Sequence, residues 1–333
     1  MIAAPSVSGP HPVIVMPVFN DWDAFQVLVR GLDDALARNG ERAAIVAVDD
    51  GSFAPLPTAP SGLAAITTIQ IVRLKRNLGH QRAIAIGLSY VLHAHPGAAT
   101  VVMDSDGEDQ PEDAVRLLRV SRETGETAVL FARRARRSEP LWFRAFYVAY
   151  KIGFRVMTGH GIHFGNFSVI PGALLERVAG VSEIWNHYSA GIMKARVPFQ
   201  EIDTSRGRRI AGRSSMRVTA LFTHGISSIA VFAETVGTRL CVAAAAVGGL
   251  VSLAVIVVVA IRLFTDLAIP GWATYVVGLL ILMLMQSAMF CFLFLLLVLS
   301  GRNAIGFIPQ QHYQWYIASV DTLVGETWAV SPT

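Results

Sequence analysis

Two stretches of this 333-residue chain carry no charged side chain: Leu240 to Ile261 and Leu267 to Gly301. Each reaches the roughly 20 residues that a helix needs to cross a bilayer. Nothing else in the sequence restricts the fold as strongly, because a segment in hydrocarbon must satisfy its backbone polar groups within itself. The alternative is a pair of helices buried in a soluble core. Ala243 to Ala246 and Val255 to Ala260 would then need cover on all sides, and little chain remains to supply it. The whole chain is 53% hydrophobic and 16% charged, and the apolar excess is concentrated in these two stretches. Both cysteines, Cys241 and Cys291, lie inside them, so they offer neither a disulfide framework nor metal-ligand spacing.

The connection Arg262 to Gly271 holds one Arg and one Asp, whereas Arg239, Arg302 and the basic remainder lie on the other side. The positive-inside rule therefore puts the main domain and both termini in the cytoplasm. Met1 to Pro12 has no basic start and no apolar core, so no signal peptide is read there. Neither span carries a mid-membrane charge, which argues against an ion-coupled transporter. The net charge of +4 gathers in Arg133, Arg134, Arg136 and Arg137 and in Arg206, Arg208, Arg209, Arg213 and Arg217. No nucleic-acid-binding motif accompanies these clusters, so anionic lipid or a phosphorylated substrate is the expected partner.

Before the spans, apolar runs alternate with helical patterns. Strands are expected at Val13–Met16, Ala44–Val48, Ile69–Val72, Val101–Met103 and Ala128–Phe131. Helices are expected from about Asn20 to Asn39, from about Gln81, and over Pro111–Glu123, where Pro111 suits a first turn. That alternation predicts an α/β fold with a mostly parallel, Rossmann-like sheet and a ligand site beyond the C-terminal strand ends. Asp49-Asp50, Asp104-Ser105-Asp106 and Arg133 all fall at such ends. Asp104 and Asp106 stand two apart and can point to one side of an extended backbone. A lone pair of this kind is compatible with a solvated acidic loop or with hard oxygen ligands for Mg²⁺ or Mn²⁺. Trp142 to Met157 reads as an aromatic and basic amphipathic helix for a membrane interface, and Ser214 to Phe232 as a second. Gln314 to Ile317 reads as a short strand or interfacial segment.

Four motifs in order carry a family resemblance. They are Met16-Pro17-Val18-Phe19-Asn20, Val48-Asp49-Asp50-Gly51-Ser52, Arg76-Asn77-Leu78-Gly79-His80-Gln81-Arg82-Ala83 and Asp104 to Glu112. With two spans behind them, the chain resembles family 2 glycosyltransferases of the GT-A fold, above all the membrane-anchored polyprenyl-phosphate glycosyltransferases related to dolichyl-phosphate mannose synthase. The resemblance implies a nucleotide-sugar site at Pro17, Val18, Phe19, Asn20, Asp49, Asp50, Gly79, Gln81, Ser105 and Ser214. It also implies a Mg²⁺ or Mn²⁺ site at Asp104 and Asp106, with Glu108 where the family often has a metal-binding Gln. Arg133 and Arg144 match residues near the acceptor phosphate, so Asp104, Asp106 and Arg133 form the expected catalytic set. The resemblance implies inverting transfer of a sugar to a polyprenyl phosphate at the cytoplasmic membrane face, with a UDP-hexose favoured as donor and GDP-mannose open.

His163 to Ser168 departs from the family's usual D-x-G-x-F-R, and Arg213 to Met216 keeps only part of its R-x-G-x-S-K-M loop. The Q-x-x-R-W element of processive synthases is absent, which favours a single transfer. Two other functions stay open: transfer to a hydroxyl-bearing lipid, with Asp109 as base, and a non-catalytic nucleotide-sugar-binding scaffold. The expected plan is a catalytic domain over 1–213 that includes an interfacial helix at about 141–158. A juxtamembrane helix over 214–235, spans over 236–301 (about 238–262 and 272–300) and a cytoplasmic segment over 302–333 follow. A homo-oligomer is compatible with the resemblance, and the oligomeric state is not legible.

Overall fold

A computed structural model describes residues 10–134, 141–161, 165–204, 207, 209–210, 225–265, 271–303 and 307–326. The strands are β1 (Val13–Val18), β2 (Ala43–Asp49), β3 (Ile66–Leu74), β4 (Thr100–Val102), β5 (Val129–Arg134), β6 (Ser168–Ile170), β7 (Phe199–Thr204) and β8 (Ile317–Val324). The helices are α1 (Trp22–Arg38), α2 (His80–Ala94), α3 (Pro111–Glu123), α4 (Leu141–Thr158), α5 (Gly172–Ala179), α6 (Tyr188–Lys194), α7 (Ala233–Phe264) and α8 (Trp272–Asn303).

All eight strands join one sheet in the order β7-β5-β6-β4-β1-β2-β3-β8. Strand β1 pairs in parallel with β2 and β4, β2 with β3, and β5 with β7. Every residue of β1, β2 and β4 is buried, as strands covered on both faces must be. The predicted helical stripe Phe25, Leu28, Leu32 and Leu36 is buried in the core against Ile14, Met16, Ile45 and Ile71. On α2, Gly87 lets the helix lie close: a Cβ there would come within 2.5 Å of Val15 and 2.9 Å of Val48.

Two strand expectations change. The fifth run does not continue the parallel series beside β4. The short strand β6 intervenes, antiparallel to both β4 and β5. The C-terminal segment is more than a fragment: after a one-turn helix Pro309–His312 and a 3₁₀ turn Tyr313–Tyr316, β8 runs antiparallel along β3 and closes that edge. Pairing along six positions with β3 fixes the extended form of this stretch.

The described residues of Met1–Val148, Ile162–Val231 and Phe307–Thr333 form one compact unit. Those of Ala149–Gly161 and Phe232–Gly306 form a second. In the second, α7 and α8 are both long and apolar enough to cross a membrane. Their outward side chains are bare, with Leu250 68%, Leu263 70% and Leu297 70% exposed, so these helices are not the core of a soluble domain. The two helices touch through small residues: Ser287 Oγ donates to the Ala244 carbonyl at 3.1 Å, and Gly237 lies against the Phe294 ring. Within this unit Phe154 of α4 is buried edge-on to Phe232, which also stacks on His160. Val148, Ile152 and Val156 form an exposed apolar stripe along α4. Of the second amphipathic segment, 214–224 lies outside the described residues and 225–230 is helical.

Candidate active site

The site is built where β2, β1 and β4 stop. Asp50 N donates to the Val18 carbonyl, Met103 N to Val15, and Ser105 Oγ to the Pro17 carbonyl at 3.0 Å. The acidic ends of β2 and β4 therefore flank the Pro17–Asn20 turn. Asn20 takes a left-handed backbone (φ 56°), and its Oδ1 accepts the N–H groups of Phe53 and Ala54. Ser52 Oγ accepts from Asn20 N, and Ser52 N donates to Asp49 Oδ1, so the two loops are stitched together. At the rim Phe19 and Phe53 meet edge-on, 45% and 91% exposed. Phe53 was not singled out by the sequence, where it reads as the start of a Pro-rich loop.

Asp50 is buried and accepts the N–H groups of Leu78 (2.7 Å) and Gly79 (2.9 Å). Burial pushes its carboxyl above the ordinary range; the two N–H groups and His80 oppose that shift, and Asp49 adds to it. This bond fixes the turn that starts α2 and brings His80 and Gln81 to the site. Tyr188 N donates to Gln81 Oε1 at 2.6 Å, and Gln81 Nε2 donates to Asn166 Oδ1 at 3.3 Å. Asn166 Nδ2 then faces His80 Nε2 at 2.9 Å, and the same His80 nitrogen lies 3.2 Å from Asp104 Oδ1. Burial disfavours the charged imidazole, yet Asp104, Asp109 and Asp50 together hold His80 above its usual value.

Asp104 and Asp106 do not lie on extended backbone. Residues 105–106 form a turn, because Gly107 adopts φ +83° and Asp106 Oδ1 accepts from Glu108 N at 2.9 Å. Buried Asp109 accepts the Asp104 N–H and anchors the loop from beneath. From across the loop, Gly207 N donates to the Glu108 carbonyl and Ile210 N to the Asp106 carbonyl. Arg209 joins Asp21 Oδ2 (3.0 Å) and Asp106 Oδ2 (3.6 Å). Burial, Asp104 and Glu108 raise the Asp106 carboxyl, and Arg209 pulls it back only in part. That concentration of negative charge suits a hard divalent cation. Among the described residues no group of three or more His, Cys, Asp or Glu converges on one point. Asp104 and Asp106, with Glu108 beside them, could hold such a cation, which would draw its other oxygens from substrate and water.

Arg133 is engaged elsewhere. It sits on β5 opposite Asp203 of β7, donates to Asp203 Oδ1 at 2.6 Å, and pairs with Glu201 at 3.4 Å. Arg144 falls on α4, but its side chain, like all of Ser214, is outside the described residues, as are His163 and Phe164. His80, Asn166, Asp21 and Arg209 join the site without having been singled out as site residues. The signal available for His80 was its place between Gly79 and Gln81.

Comparison with known proteins adds the following. The family model described as Glycosyl transferase family 2 matches residues 13–178. An uncharacterized glycosyltransferase, YkcC, of Bacillus subtilis is 24% identical over 79% of this chain and 81% of its own length. An undecaprenyl-phosphate 4-deoxy-4-formamido-L-arabinose transferase of Klebsiella pneumoniae is 32% identical, over 32% of each chain. Among solved structures, mannosyl-3-phosphoglycerate synthase from Rubrobacter xylanophilus overlays at TM-score 0.50 and 15% identity, covering 69% of this chain and 75% of that one. That likeness is one of fold, and the GT-A architecture holds for this sheet.

Proposed function

We propose, from the premise that the chain is a glycosyltransferase carrying a family 2 domain, that it moves a hexosyl group from a nucleotide-sugar to a polyprenyl phosphate at the cytoplasmic membrane face. The observation that carries this reading is the acidic loop Asp104–Glu108 beside the Pro17–Asn20 and Asp49–Ser52 turns, in a chain that also has two long bare apolar helices. The name of the Klebsiella relative, an undecaprenyl-phosphate transferase, supports the acceptor class.

The exposed Phe19 and Phe53 would flank the base, and Asp50 would keep the Gly79 turn closed beneath the diphosphate. Asp104 and Asp106 would hold Mg²⁺ or Mn²⁺, which supplies Lewis-acid stabilisation of the leaving diphosphate. An acceptor phosphate is already ionised at neutral pH, so its oxygen can attack the anomeric carbon, with inversion, without a general base. Asp109, the base that a hydroxyl acceptor would need, is buried and committed to Asp104 N, which favours the phosphate acceptor.

The test is a donor screen on the full-length protein in lipid nanodiscs. UDP- and GDP-sugars are offered with Mg²⁺ or Mn²⁺ and a short polyprenyl phosphate, beside a hydroxyl lipid. Transfer to the phosphate, lost in Asp106→Asn, is expected. Turnover on the hydroxyl lipid alone overturns the acceptor assignment.

A further inference from the structure

Away from the acidic loop, three separate segments bring aromatic rings to one surface of the sheet unit. Trp185 ends a 3₁₀ turn Ser182–Trp185, Phe307 precedes the helix Pro309–His312, and Trp315 and Tyr316 sit in the turn before β8. The Trp185 ring centroid lies 4.3 Å from Phe307 and 5.1 Å from Tyr316. His312 stacks on Phe307 at 5.1 Å and touches Trp315 at 4.5 Å. The cluster is not sealed. Trp315 is 64% exposed, and Trp185, Phe307, His312 and Tyr316 are half-buried.

Cations surround these rings. The Arg82 guanidinium lies over Trp185, 5.5 Å from the ring centroid. Lys75 Nζ donates to the Trp315 carbonyl at 2.8 Å, and Lys75 N to the Tyr316 carbonyl; Arg76, next in sequence, is exposed, whereas Arg73 pairs with Asp49 at 3.7 Å. The nearby Glu183 is taken by Lys194 at 2.9 Å and leaves the cations uncompensated from that side. In sequence the cluster begins at Phe307, four positions after the last residue of the apolar helix α8.

We propose that this surface is a membrane-interface contact for anionic lipid. Amphipathic rings of Trp, Tyr and His prefer the headgroup level, where one edge is apolar and the other wet. Lys and Arg beside them add attraction to a negatively charged leaflet, and their stems lie along the apolar surface. An ordinary core would bury Trp315, and a nucleotide platform would not need Arg82, Lys75 and Arg76 on its rim. The contact holds the start of α2, where Arg82 follows Gln81 by one residue, at the lipid surface. It is independent of the sugar donor and of the metal.

The experiment uses the full chain in nanodiscs with lipids brominated at the upper acyl chain. The emission lost between wild type and Trp315→Phe isolates Trp315; the residue is exposed, so the variant folds. Brominated phosphatidylglycerol is expected to quench most of that emission. Brominated phosphatidylcholine at the same mole fraction is expected to quench less, and the excess should vanish in Lys75→Gln/Arg76→Gln. A Trp315 emission that no bromolipid quenches overturns the proposal. If that emission is unquenched and also shifts when the protein is diluted among nanodiscs, a second copy covers the surface instead, which overturns it equally. Equal quenching by both lipids overturns the anionic preference.

Discussion

The turn that carries Asp104 and Asp106 depends on Gly107, and a two-site substitution cycle isolates why. Gly107 has φ +83°, and a Cβ there would lie 2.4 Å from both Cγ1 and Cδ1 of Ile210. Gly107→Ala therefore meets two costs. The left-handed backbone costs about 1 kcal/mol. The clash adds about 1 kcal/mol rather than the upper end of overpacking penalties, because Ile210 is 41% exposed and can swing away. The chain escapes both by opening the turn, which breaks the Ile210 N–Asp106 bond and withdraws Arg209 from Asp106. Nucleotide binding must then reclose it, so affinity for the nucleotide with Mn²⁺ should fall about thirtyfold, on the rule that 1.4 kcal/mol is a factor of ten. Thermal stability should hold, since the loop is peripheral to the core. Ile210→Ala added to Gly107→Ala should recover roughly the clash, about fivefold. Calorimetric titration of the full-length protein in detergent reads both. If the double variant binds no better than Gly107→Ala, the clash with Ile210 is not the cause.

Three further outcomes follow from individual contacts. Asp33 is buried and accepts the N–H groups of Ala64, Ala65 and Ile66 at 2.8–3.1 Å, so Asp33→Asn should cost about 2–4 kcal/mol. Burial alone would raise the Asp33 carboxyl, but the three N–H groups hold it below its ordinary value. The stabilisation is then complete above the unfolded-state value, about pH 4, and is lost as pH falls through the lower folded value. Melting curves of wild type and variant should converge only in acid, and a gap unchanged there would refute the assignment. Arg133 forms an exposed, solvent-screened pair with Asp203, which adds little to stability. Arg133→Ala should leave melting nearly unchanged while raising the KM for polyprenyl phosphate; an unchanged KM would leave Arg133 as an edge clamp only. Cys291 Sγ lies 3.9 Å from the Cys241 carbonyl, so copper-phenanthroline oxidation should give an intramolecular cross-link that Cys291→Ser abolishes. Cross-linked dimers alone would contradict the helix register.

The parallel core was legible because strands buried on both faces are written as unbroken apolar runs. Val13–Met16, Ala44–Val48 and Val101–Met103 could be little else, and Pro111–Glu123 came out with the same ends in the structure. The acids at strand ends were legible for the same reason, since a charge after a buried apolar run marks where the strand nears its end, as at Asp49 and Asp104. The segment from β6 to β7 was not. Ser168–Ile170 is three residues long, too short for a period, and its strand character comes from pairing with β4 and β5. Strand β8 likewise alternates weakly and is fixed by β3. The D-x-D geometry was read as extended because the left-handed turn at Gly107 leaves no mark two residues upstream.

The antiparallel insertion of β6 also accounts for the site residues that sequence spacing could not find. Because Ser168 pairs with Val102, the chain entering β6 arrives at the end where β4 finishes, next to Asp104. Asn166, two residues earlier, is thereby brought to His80 and Asp104 from more than sixty positions away in sequence. The amide orientations then follow from a single backbone donor. Tyr188 N–H fixes the oxygen of Gln81, and the NH₂ of Gln81 fixes the oxygen of Asn166, so the NH₂ of Asn166 faces His80 Nε2, a nitrogen that either accepts from Asn166 when neutral or donates to Asp104 when protonated. Of the divergent segment His163 to Ser168, Asn166 is thereby placed at the site, against His80 and Gln81.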